Sequence, residues 1–295
     1  MDWIPLLGFP LEWASLALLV AGCLYWERSG SSGLGVEGCV LSAMLGLCLG
    51  YEWSGSYLVA AAGAAASALA FAIGTGALLA ATRADPAVGS FCISLVPACA
   101  LGTLARWAPL RLLTETPAPG LARGTVFDGT YAEDLVANPM LLAALPALGF
   151  AAFLLLRTPF GLKSRAFSET PALARRGRGQ VALARLSLAA LGALWVVPAA
   201  AILLRSHRES PPLGLGFVAL ACAVAGRWGF APAILLAAGP ALLRAARPYA
   251  PAAGPGAIGM DAAPFLLAAA YLIFFSRRAL RASVTPESRL NPDVL

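Results

Sequence analysis

Residues 180–204 read QVALARLSLAALGALWVVPAAAILL, a run of 25 residues whose one charge is Arg185. A helix rises 1.5 Å per residue, so roughly 20 apolar residues are enough to cross a bilayer's hydrocarbon core. Residues 139–156, PMLLAALPALGFAAFLLL, form a second apolar run. Between the two runs lies the most cationic stretch of the chain, 157–179. It holds Arg157, Lys163, Arg165, Arg175, Arg176 and Arg178 against the single acid Glu169. Short basic loops between membrane helices mark the cytoplasmic side, so this segment orients its neighbours.

The rest of the chain agrees. Hydrophobic residues make up 59% and charged residues 12%, with a mean hydropathy of +0.77. A soluble domain carries about 25% charged residues, so this chain has too little polar surface to face water alone. Amphipathic strands separated by turns are missing, which argues against an outer-membrane barrel. The fold class expected is an all-α polytopic membrane protein with about 8–10 transmembrane helices. Candidate spans fall near 5–26, 36–53, 56–82, 88–107, 139–156, 180–204, 214–229, 230–247 and 262–276.

Placing 157–179 inside and alternating outward puts fourteen basic residues inside and seven outside. That ratio favours an external N-terminus and a cytoplasmic tail, 277–295, carrying Arg277, Arg278, Arg281 and Arg289. The net charge of +6 is accounted for by helix ends and loops, and nucleic acid is not an expected partner. The long stretch 108–138, with Pro117, Pro119, Gly120, Asp128, Glu133 and Asp134, is expected as an external loop. The whole chain, 1–295, reads as one transmembrane domain.

Residues 33–46 (GLGVEGCVLSAMLG) and 214–226 (GLGFVALACAVAG) open alike and enter short small-residue helices. In the alternating topology they run in opposite senses, the pattern of an inverted repeat whose short glycine-interrupted segments meet near the midplane. Gly33, Gly35, Glu37, Ser94, Gly214, Gly216 and Phe217 are the pathway candidates. Glu37 stands out because an acid in a membrane segment is costly; capping a helix start or pairing with Arg28 is its simpler role. Helix 56–82 is rich in Ala, Gly and Ser and is expected in the bundle interior. Pro97 is expected to interrupt helix 88–107.

Catalytic chemistry is absent. There is no Walker-type phosphate loop, no H-E-x-x-H and no G-x-S-x-G. Six cysteines form no C-x-x-C pair, read as small buried hydrophobes, and offer no metal set. His207, the lone histidine, sits beside Arg208 and Glu209 in an expected loop. Few acids occur in the spans, so a proton or sodium relay is not apparent, and energy is expected from another subunit.

Three stretches carry a family resemblance. Glu27-Arg28-Ser29-Gly30 followed by Gly35-Val36-Glu37-Gly38 resembles the opening signature of ABC-importer permeases of the branched-chain amino acid, ribose and nucleoside group. Arg157-Thr158-Pro159-Phe160-Gly161-Leu162, with Arg165-Ala166 and Glu169-Thr170-Pro171, resembles that group's coupling segment. Gly214-Leu215-Gly216-Phe217 with Gly226-Arg227-Trp228 is similar to the nucleoside-type branch. The resemblance implies a bacterial inner-membrane permease, not an enzyme, that binds no cofactor itself. It implies ATP and Mg on a cytoplasmic ABC ATPase, a second permease subunit (a paralogue or a second copy), and an external substrate-binding protein or lipoprotein. It further implies a cytoplasmic coupling segment at 158–179, whose ATPase contact uses Pro159, Phe160, Gly161, Leu162, Arg165, Glu169 and Pro171 together with the preceding Arg157. Family asparagines read Gly33, Ser94 and Thr170 here. A nucleoside or related small polar solute is the expected cargo. Sugar or branched-chain amino acid cargo, and a non-transporting receptor or scaffold, are the alternatives.

Overall fold

The computed structural model describes residues 5–29, 31–82, 84–107, 139–162, 178–206, 213–247 and 255–282. Among them are ten helices and no strand: α1 Pro5–Ser29, α2 Gly35–Ser54, α3 Tyr57–Thr82, α4 Pro86–Trp107, α5 Pro139–Arg157, α6 Arg178–Ser206, α7 Leu215–Ala225, α8 Phe230–Leu236, α9 Ala238–Ala245 and α10 Pro255–Ala282. All nine apolar segments expected from hydropathy are helical. Six helices are long and apolar enough to cross a membrane; α5, α7 and the α8–α9 stretch are shorter apolar pieces. The 108–138 loop, residues 163–177 of the coupling segment, His207 and residues 283–295 lie outside the described residues.

The bundle has a centre and a shell. The spanning windows of α1 and α2 are 72% and 78% buried, against 22% for α4 and 11% for α10. Outer helices therefore present Leu95, Val96, Leu266, Ile273 and Phe274 outward, as lipid contact requires. α1 packs against α6, α7, α9, α5 and α8, while α2 packs against α3, α4 and α6.

Lipid supplies no hydrophobic drive between helices, so close backbone approach and interhelical hydrogen bonds hold such bundles. Gly22 of α1 and Gly192 of α6 face each other. A Cβ on either would come within 3.0 Å of the other's carbonyl oxygen. Gly22 also faces Val196 and Gly192 faces Trp26, so α1 and α6 run antiparallel. The indole of Trp26 stacks near Phe71, and Tyr25 donates its hydroxyl to the Ala151 carbonyl at 2.8 Å, tying α1 to α3 and α5.

Two expectations are corrected. α3 is not an interior helix. Its every-fourth-residue stripe Ala60, Ala64, Ala68 and Ala72 is buried, while Leu58, Ile73 and Leu78 face outward. Small residues here make one close face against α2, where Ser67 donates to the Ser42 carbonyl at 2.7 Å. Pro97 does not interrupt α4, which continues from Pro86 to Trp107; one missing amide is tolerated within a long membrane helix. The cysteines also divide: Cys23, Cys39, Cys48 and Cys222 are buried, but Cys92 and Cys99 on α4 are exposed.

A break between α8 and α9 at Ala237 has a local cause. Pro240 has no amide for the Leu236 carbonyl four residues earlier. That carbonyl instead accepts from the Tyr271 hydroxyl of α10 at 3.4 Å.

Candidate functional site

The two Gly-Leu-Gly segments meet. Gly33 lies against Leu220 and Gly216 against Glu37, so the start of α2 and the start of α7 pass antiparallel, as an inverted repeat demands. Approach is limited by backbone: a Cβ on Gly216 would sit 2.6 Å from the Glu37 amide nitrogen. Gly35 is covered by the Trp26 ring.

Glu37 binds across this crossing. Its two carboxylate oxygens accept the Gly214 amide at 2.7 Å and the Gly216 amide at 2.5 Å. These belong to the first turn of α7, where helix amides have no intrahelical acceptor and the dipole favours an anion. Glu37 also stands in the first turn of its own helix. The expected capping role is thus realised on a different helix, 177 residues away. Gly214 adopts φ +86°, a left-handed turn that glycine enters without a Cβ penalty.

Glu27 makes the matching local contact, accepting the Gly33 amide at 2.7 Å. Both glutamates of the first signature are therefore amide clasps. Ser94 is buried on α4. Its hydroxyl donates to the Ser90 carbonyl at 2.7 Å and borders Gly38, one residue beyond Glu37. Phe217 is 39% exposed. Of the seven pathway candidates, Gly33, Gly35, Glu37, Gly214 and Gly216 are assembled, and Ser94 lies at the edge.

The start of the coupling segment is a compact turn. α5 ends at Arg157; Thr158 is a bend and 159–162 form a further helical turn. Thr158 Oγ1 donates to the Leu154 carbonyl at 2.5 Å and accepts the Gly161 amide at 3.3 Å. Threonine at the cap with proline at the first helical position is a favoured start. Gly161 is buried against the Leu154 and Leu155 carbonyls, where no Cβ fits. Phe160 packs on the core, whereas Arg157, Pro159 and Leu162 remain exposed. Arg165, Glu169 and Pro171 lie outside the described residues.

Gly226-Arg227-Trp228 closes α7 in a reversal against α8. Arg227 and Trp228 have φ of +54° and +60°, and the Trp228 amide bonds the Ala223 carbonyl at 2.9 Å. A side-chain-bearing residue in this region costs about 1–2 kcal/mol, so the pair stores strain. The indole nitrogen of Trp228 is buried with no hydrogen-bond acceptor in the structure.

Sequence reasoning missed the acid–base pairs. Arg244 of α9 donates to Glu12 of α1 at 2.8 Å, with both side chains 10% exposed. Arg247 pairs with Asp261 of α10. Glu12 lies within an apolar run, and that position was the available signal. The Trp13 indole adds a bond to the Ile234 carbonyl at 3.1 Å, fixing α8 on α1. Among the described residues no His, Cys, Asp and Glu group could hold a metal ion.

The chain is similar to the guanosine ABC transporter permease protein NupQ of Bacillus subtilis (strain 168). The two are 28% identical over 234 residues, spanning 73% of this chain and 72% of the relative. No family model matches the chain. No solved structure matches it. The relative supports the resemblance carried by the three motifs, to a nucleoside-type permease of the ABC-importer group: a multi-pass membrane transport subunit rather than an enzyme.

Proposed function

We propose that this chain is the membrane permease subunit of an ABC-type importer for a nucleoside or related small polar solute. Its energy comes from a separate cytoplasmic ATPase. The observation that carries this reading is the likeness to a permease whose name specifies guanosine, over most of both chains. The absence of any phosphate-binding loop agrees with hydrolysis on a partner.

In this reading the turn Arg157–Leu162 touches the ATPase. Leu162 and Pro159 are exposed apolar groups beside the cation Arg157, and Gly161 lets the turn fold back onto α5. An exposed ion pair adds about 1 kcal/mol or less, so the apolar residues anchor the contact and Arg157 orients it. By the family resemblance, Arg165, Glu169 and Pro171 take part in the same contact. The clasped crossing of α2 and α7, with Ser94 at its edge, is the joint that borders the solute path. Displacement of the turn reaches the joint through α5, which is bonded to α1 by Tyr25. A second permease subunit and an external binding protein complete the transporter.

The test is ATP-dependent uptake of labelled guanosine into vesicles holding this chain with its cognate ATPase, second permease and binding protein. Leu162→Asp, at an exposed position, is expected to abolish uptake and ATPase co-purification while the protein still reaches the membrane. Full uptake and co-purification by that variant would remove the coupling assignment. No uptake of any nucleoside by the wild-type complex would remove the cargo.

A further inference from the structure

Helix α7 is held at both ends by unusual means. Its first turn is gripped by the Glu37 carboxylate through Gly214 and Gly216. Its last turn runs into two consecutive side-chain-bearing residues in the left-handed region, Arg227 and Trp228. The reversal is closed: Gly226 lies against the Ala233 backbone, and α8 is in turn bonded to α1 through Ile234 and Trp13. The Arg227 side chain is exposed, so packing does not impose its conformation.

We propose that α7 is a sprung half-helix, latched by Glu37 at its start and strained at Arg227-Trp228 at its end, and that release of the latch lets the turn relax. The two devices work on one rigid element. An 11-residue helix is about 16 Å long, so Glu37 and Arg227 do not touch through their side chains. Backbone strain persists only where the surroundings over-determine it. Here the surroundings are the turn's own hydrogen bonds, from the Arg227 amide to the Val224 carbonyl and from the Trp228 amide to the Ala223 carbonyl, both at 2.9 Å, with the docked α8 beside it and the latch at the far end of the helix. Opening the latch removes one constraint, and the strain biases α7 toward leaving the crossing. The transport role of this motion rests on the permease reading above; the mechanical coupling does not.

The experiment separates backbone from side chain. Arg227→Ala removes the charge and keeps the strain, while Arg227→Gly removes both. In the full-length purified protein, Arg227→Gly is expected to melt about 2–4 °C above Arg227→Ala. In a Glu37→Gln background that advantage is expected to vanish, because the turn has already relaxed. Sites this far apart are otherwise additive. An equal advantage in both backgrounds, or none in either, overturns the proposal. Uptake by the assembled transporter is the second readout: Arg227→Gly is expected below Arg227→Ala in initial rate. Equal rates with the non-additive melting would keep the spring and remove its transport role, and no uptake even by wild type would fault only the permease reading.

Discussion

Gly33 and Gly214 open two related segments, and each has its amide held by a glutamate oxygen at 2.7 Å. The origin of the acid differs. Glu27 reaches Gly33 from six residues away, within one helix–loop–helix unit. Glu37 reaches Gly214 and Gly216 from the other half of the chain. A local clasp can form as its own hairpin forms, but the long-range one exists only once the halves have docked. The same contact therefore shapes a loop in one place and reports assembly in the other.

The strongest way to break this comparison is to fill the crossing. Gly216→Val places a Cβ against Glu37 backbone, which cannot step aside. We expect no monodisperse protein on size-exclusion chromatography. Gly33→Ala meets the Cys23 sulfur and the Glu27 carboxylate first, both on side chains. It should remain folded with a lowered melting temperature. Normal elution of Gly216→Val would mean that the halves do not close there.

A second tie between distant segments, Glu12–Arg244, sharpens the contrast. Glu12→Ala leaves a buried guanidinium without its carboxylate, which costs about 3–5 kcal/mol. Thermal melting in detergent should show a drop of many degrees. Replacing both partners with leucine should recover much of it.

Next come the clasps themselves. Glutamine in place of Glu37 keeps one carbonyl for two amides and turns an NH₂ toward the other. The expected loss is about 2–3 kcal/mol, as for hydrogen bonds to a charged group. Glu27→Gln can keep its bond to Gly33, with an expected loss of about 1 kcal/mol. Matching losses in chemical denaturation would erase the distinction between local and long-range clasp.

A stability effect as small as that of Glu27→Gln is expected outside both clasps. Thr158→Ala removes a helix cap, worth about 1 kcal/mol, and should lower the melting temperature by only a few degrees. Uptake should nevertheless fall sharply, because the cap sets the Pro159–Leu162 turn. Unchanged uptake would detach that turn from coupling.

The positions of helices were readable because hydropathy is additive along the chain. Runs such as 180–204 declare a membrane helix through each residue's own transfer energy. The opposed directions of the two Gly-Leu-Gly segments followed from alternating crossings, and the starts of α2 and α7 do pass antiparallel. Burial was harder. An alanine-rich helix can be central or peripheral, and α3 is peripheral because only one stripe finds a neighbour. Of the seven pathway candidates, Glu37, Gly214 and Gly216 are joined by hydrogen bonds in the structure, a meeting that no local feature of either segment announces.

Composition and span positions were determined by the sequence alone, since each depends on neighbouring residues. Partnership was decided by tertiary structure. Glu37 could cap its own helix or answer Arg28 by local rules, yet it holds α7; Glu12 finds its cation on α9. A buried acid in a membrane takes whatever donors the crossing helices bring within reach, and no property of the acid's own neighbours specifies which helix that will be.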